Sequence, residues 1–148
     1  MVRSALLAIV SRWRAAAPAT RLWLAWAASR AVLLTLVLAG QVFGSQQNVL
    51  GDVDLYREWG RTLVEGSLPV DDRWQYPPGA AVVLAPPAAV ERLVGVPYDV
   101  SFYVLLVALD LAVTATLARR SAAAAGYWML GTFALGPVVL ARFDLVPA

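Results

Sequence analysis

Three apolar stretches, residues 22–43, 100–118 and 122–141, each come close to the ~20 residues a helix needs to cross hydrocarbon. Nothing else in the chain limits its fold as strongly. With 60% hydrophobic residues and a mean hydropathy of +0.66 over 148 residues, the chain has more apolar surface than a water-facing globule of this size can bury. The bilayer is expected to take the rest. In lipid each backbone polar group must be satisfied within its own segment, which a helix does by itself. The expected fold class is therefore all-α, a polytopic membrane protein of about three transmembrane helices in one partial domain.

Arginines set the orientation. Arg3, Arg12, Arg14 and Arg21 precede the first run with no acidic residue among them, which marks residues 1–21 as a cytoplasmic N-terminus. Residues 5–10 are too few for a signal-peptide core, so an uncleaved anchor is expected. Residues 44–99 then form an extracytoplasmic loop. The segment 79–95 within it is apolar but holds Pro86-Pro87 in its middle and Glu91-Arg92 near its end. If it spanned the membrane, Arg119-Arg120 would be forced outside, against the positive-inside bias. Proline also removes an amide donor and breaks a helix that lipid requires to be self-satisfied. An interfacial helix near 79–95 is preferred. The second span, 100–118, then runs inward to a cytoplasmic turn at 119–121, and the third, 122–141, returns outward to leave residues 142–148 on the loop's side.

The chain has no histidine or cysteine, which removes imidazole bases, thiol chemistry, disulfides and the usual zinc ligands together. Carboxylate, hydroxyl and guanidinium groups remain. A net charge of +2 gives no warrant for nucleic-acid binding. Residues 51–79 gather six carboxylates and four aromatic rings into a polar island, the one region suited to chemistry at an aqueous face. Between 52 and 66, Leu55, Tyr56, Trp59, Thr62 and Leu63 recur at helical spacing, with Arg57, Glu58, Arg61 and Glu65 on the other side. An interfacial amphipathic helix is predicted there, with Gly66 at its C-terminal cap.

Asp52-Val53-Asp54-Leu55-Tyr56, Trp59, Gly66, Pro69, Tyr76-Pro77-Pro78-Gly79, Gly136-Pro137 and Arg142-Phe143-Asp144 occur in an order that resembles the first part of a GT-C glycosyltransferase. The closest likeness is to glycosyltransferase family 87, the polyprenol-phosphate-mannose-dependent mannosyltransferases. Such proteins place an acidic residue shortly after the first span, follow it with interfacial helices and use a Pro-Pro element before the second. The resemblance implies a partial GT-C fold in the cell membrane, an extracytoplasmic active site, and a chain that is the N-terminal fragment of a longer enzyme, inactive alone. It implies hexose transfer, of mannose above all, from a polyprenyl-phosphate donor to an envelope lipid or glycan. The donor is a substrate, and neither cofactor nor metal is expected.

Each candidate residue has two readings. Asp52 is the implied catalytic base, with Asp54 its rival. A carboxylate in hydrogen-bond reach of the acceptor hydroxyl can take its proton, while the local alternative is that Asp52 merely caps a helix. Arg142 offers a guanidinium fork for the leaving phosphate, oriented by Asp144, or anchors a helix end at the head groups. Trp74, Tyr76 and Tyr56 suit a sugar's apolar face and equally suit a membrane's aromatic belt. Asp72, beside Asp71, could bind hydroxyls or lie in a solvated turn. Arg30 and Asp110 fall at similar depth in two spans, and a charge there is seldom left alone, so a structural ion pair is expected. The alternative for the whole chain is a small, non-enzymatic membrane protein whose acidic loop binds a partner.

Overall fold

The computed structural model describes residues 17–38, 47–70 and 72–142, and every regular element among them is helical. Helix α1 is Pro18–Leu38, α2 Gln47–Val64, α3 Ala81–Val94, α4 Tyr98–Arg120, α5 Ala122–Ala134 and α6 the short Val138–Ala141. A 3₁₀ turn, Pro78–Ala80, leads into α3. Two of these helices, α1 and α4, are long and apolar enough to cross a membrane.

Helix α2 begins five residues before the predicted start at Asp52. Asp52 therefore stands inside the helix and does not cap it, which removes the local alternative for that residue. Its C-terminus is as expected: Gly66 takes φ 87°, its amide reaches the Leu63 carbonyl and that of Ser67 the Thr62 carbonyl, closing a Schellman motif.

The prolines do not break α3. Pro86 and Pro87 lie within a continuous helix, at the cost of the two amides that would bond the Val82 and Val83 carbonyls. Packing holds the turn together, because Val83, Leu84, Pro87 and Ala88 are all buried. Gly60 lets α2 approach this face so closely that a Cβ there would meet the Leu84 carbonyl oxygen at 2.6 Å.

The third apolar run is not one helix. Helix α5 stops at Ala134, and Gly136 adopts φ 71°, a left-handed conformation that glycine takes without strain, before Pro137 starts α6. Ser121 is the only non-helical residue between α4 and α5, where its hydroxyl oxygen accepts from the Ala124 amide.

The packed core lies toward one end of the bundle. It joins Leu33 and Val37 near the end of α1, Val53, Tyr56 and Trp59 of α2, Val83 and Leu84 of α3, Tyr98, Phe102 and Leu106 from the start of α4, and Leu140 of α6. Phe102 lies 5.6 Å from Tyr56, ring centre to ring centre. Two long helices are thus capped by a layer of shorter ones, and that layer carries the candidate site.

Candidate active site at the α2 cap layer

Helix α2 has one face in the core, so its neighbouring positions are held at fixed angles to the surface. Val53, Tyr56 and Trp59 recur every three residues and are buried, which leaves Asp52 and Leu55 at the rim. Opposite them runs the segment 72–77. Its rings are pinned to α2: Trp74 meets Trp59 edge to face at 5.1 Å, Tyr76 meets Trp59 at 5.8 Å, and the Tyr56 and Tyr76 hydroxyls lie 3.2 Å apart. Edge-to-face packing suits the ring quadrupoles and makes the segment a wall. Arg73 reinforces it through Glu58, at 3.0 Å.

Between helix and wall opens a cleft of about 420 Å³, lined by Asp52, Tyr56, Trp59, Asp72, Gln75 and Tyr76 among others. Arg142, just past α6, reaches Asp52 at 2.9 Å. The turn at Gly136 makes this meeting feasible, since it redirects the chain from α5 toward α2. The pair is open to water, with the Arg142 side chain 49% exposed and that of Asp52 29%.

Of the residues singled out in the sequence, Asp52, Asp72, Tyr56 and Tyr76 line one cleft, with Arg142 on Asp52 and Trp74 behind Tyr76. Asp54 is exposed and does not line it, because two residues of helix turn it to another side. Asp71 and Asp144 lie outside the described residues. Among the described residues no three acidic side chains gather into a cation-holding group.

Arg30 and Asp110 also meet, far from this cleft in sequence and in kind. The guanidinium donates from Nε to Oδ2 at 2.7 Å and from Nη2 to Oδ1 at 2.8 Å, with the two side chains 3% and 1% exposed. Sequence reasoning missed what surrounds them. The Trp26 and Trp128 indole N–H groups donate to the two Asp110 oxygens at 2.7 and 2.8 Å, so the carboxylate takes four donors. The Thr132 hydroxyl accepts from Arg30 at 2.6 Å and donates to the Trp128 carbonyl. The signal was present, since Trp26 and Trp128 precede Arg30 and Thr132 by four residues, one helical turn on the same face.

Glu91 was missed too. Arg57 and Arg61, one turn apart on α2, both bind its carboxylate across the α2–α3 contact, Arg61 Nε at 3.2 Å. Hydrogen bonding from Arg57 holds the Glu91 carboxyl below its ordinary range and, reciprocally, raises Arg57.

Comparison with protein families, with curated proteins and with solved structures finds no match to this chain.

Proposed function

We propose that the chain is the N-terminal part of an integral-membrane glycosyltransferase of the GT-C kind. In this reading it moves a hexose, mannose by its likeness to family 87, from a polyprenyl phosphate to an envelope lipid or glycan. Helices α1 and α4, with the interrupted α5–α6 run as the third span, cross the cell membrane, and the α2–α3 layer lies on its extracytoplasmic face.

The observation that supports this best is the meeting of Asp52 with Arg142 at the mouth of a cleft walled by tyrosine, tryptophan, aspartate and glutamine. Flat rings beside amide and carboxylate groups are suited to a sugar. A guanidinium is suited to phosphate. In the resting site the carboxylate and guanidinium occupy each other. A donor phosphate competes for Arg142, and its binding releases the Asp52 carboxylate to accept the proton of the acceptor hydroxyl. That hydroxyl oxygen then attacks the anomeric carbon, whose bond to the phosphate oxygen breaks with the electron pair leaving on the phosphate. Base assistance of this kind typically contributes ~100- to 10,000-fold.

The test is transfer of labelled mannose from polyprenyl phosphate to membrane lipid by the full reading frame that contains this chain. Asp52→Asn should lower it ~100- to 10,000-fold. Unchanged turnover at normal expression overturns the assignment of Asp52 as base, and absence of transfer from any polyprenyl-phosphate hexose overturns the reading as a whole.

A further inference from the structure

Helix α3 buries one face against its neighbours and leaves the other largely exposed, with Ala89 half-buried. Opposite Val83, Leu84, Pro87 and Ala88, the positions Val82, Pro86, Ala89 and Leu93 follow at four-, three- and four-residue spacing, with Val82 77% and Leu93 81% exposed. No carboxylate interrupts this stripe. An apolar surface of that length facing water is unfavourable and marks an interaction site.

The border of the stripe is basic. Arg92 is exposed and forms no ion pair with any described residue, and with Arg61 it lines a cleft of about 370 Å³ between α2 and α3. Glu91 and Glu65 line it too. Glu91 is already bound by Arg57 and Arg61, which leaves Arg92 as the lining guanidinium with no ion-pair partner among the described residues. An exposed, unpaired guanidinium at the edge of an apolar stripe suits an anion.

We infer that this side of α3 is a membrane-surface site, in which the Val82–Leu93 stripe sinks to the acyl-chain boundary and Arg92, helped by Arg61, holds the phosphate of an anionic phospholipid. Two features favour lipid over a second copy of the chain. Only residues 95–97 separate α3 from α4, a helix apolar enough to cross a membrane and itself exposing Val100 and Val104, so the apolar surface continues along the chain. The unpaired Arg92 at the polar border also matches an anionic head group, whereas a two-fold copy of the same face would bring a second Arg92 against it. The inference rests on the membrane reading and is independent of the transfer chemistry.

The chain contains no cysteine, so Leu93→Cys gives a unique position for a nitroxide label. In nanodiscs of mixed phosphatidylglycerol and phosphatidylcholine, the label should be reached by oxygen and shielded from a water-soluble nickel chelate. Val82→Cys provides the same reading if the first variant folds poorly. In native mass spectrometry, phosphatidylglycerol should be retained over phosphatidylcholine, and Arg92→Gln, which breaks no ion pair among the described residues, should reduce that preference roughly fivefold, the usual effect of one basic residue at an anionic surface. A nickel-accessible label, label–label broadening from a second copy, equal retention of the two lipids, or displacement of the lipid by millimolar inorganic phosphate would each overturn the inference.

Discussion

Two arginine–aspartate pairs stand out among the described residues, and their differences separate a fastening from a working contact. Arg30–Asp110 is buried, bidentate and enclosed by Trp26, Trp128 and Thr132. Arg142–Asp52 is partly open to water and stands beside a cleft. In low dielectric a charge that loses its partner has nowhere to turn, so the first pair resists exchange. At a wetted surface an ion pair is worth little and solvent screens it, so an incoming anion can replace the carboxylate at modest cost. Chemically similar groups thus serve opposite ends, and burial decides which.

The largest effect is expected from breaking the buried pair. Arg30→Ala or Asp110→Ala alone should cost about 3–5 kcal/mol, measured as lost resistance to unfolding in detergent, because each strands a buried charge. Replacing both with leucine should recover part of it, since the Trp26 and Trp128 indoles lose their acceptor. Additive losses would mean that the two groups are not coupled.

Asp52→Asn sharpens the contrast from the other side. Transfer by the full reading frame should fall ~100- to 10,000-fold. Stability should change by less than about 1 kcal/mol, as expected for a pair this exposed. A stability loss matching that at Asp110 would erase the distinction between the two pairs.

A steric change in the layer beneath the cleft comes next. Gly60→Ala sets a methyl against a backbone carbonyl at 2.6 Å and the Tyr98 ring at 3.1 Å, and overpacking of this kind costs roughly 1–3 kcal/mol. Thermal unfolding of the variant measures it, and an unchanged midpoint would mean that α2 and α3 separate easily.

The smallest effect is acid-dependent. Glu91 titrates below its ordinary value of 4.5 in the folded chain, chiefly through hydrogen bonding from Arg57. The unfolded chain therefore binds the proton first as pH falls. The stabilisation is complete above about pH 4.5 and is lost as the pH drops through the folded value. The stability difference between the wild type and Glu91→Gln should shrink over that window. A difference independent of pH would show that the carboxylate's charge is not what joins α2 to α3.

Much of the architecture was legible in the residues. The long apolar runs of α1 and α4, the amphipathic α2, the Gly66 cap and the need of Arg30 and Asp110 for partners all follow from local chemistry. Other boundaries depended on packing that local rules do not register. A helix near 79–95 was expected and is present as Ala81–Val94, and its buried face carries it through the two prolines. An unbroken apolar run suggested a single third span, although hydropathy cannot register the left-handed turn at Gly136. Asp52 suggested a helix cap because the helical pattern was clear only from there on, while the helix itself begins at Gln47.

Of the site, the sequence could supply the ingredients but not the pairings. Composition and periodicity determined which surfaces avoid water and which reactive groups exist, because those properties depend on each residue and its near neighbours. Only the tertiary structure decided that Asp52 meets Arg142, that Glu91 draws two arginines, and that Trp26 and Trp128 close around Asp110. Many carboxylates and guanidinium groups are interchangeable as charges, and what distinguishes them is the distance to which packing brings each pair.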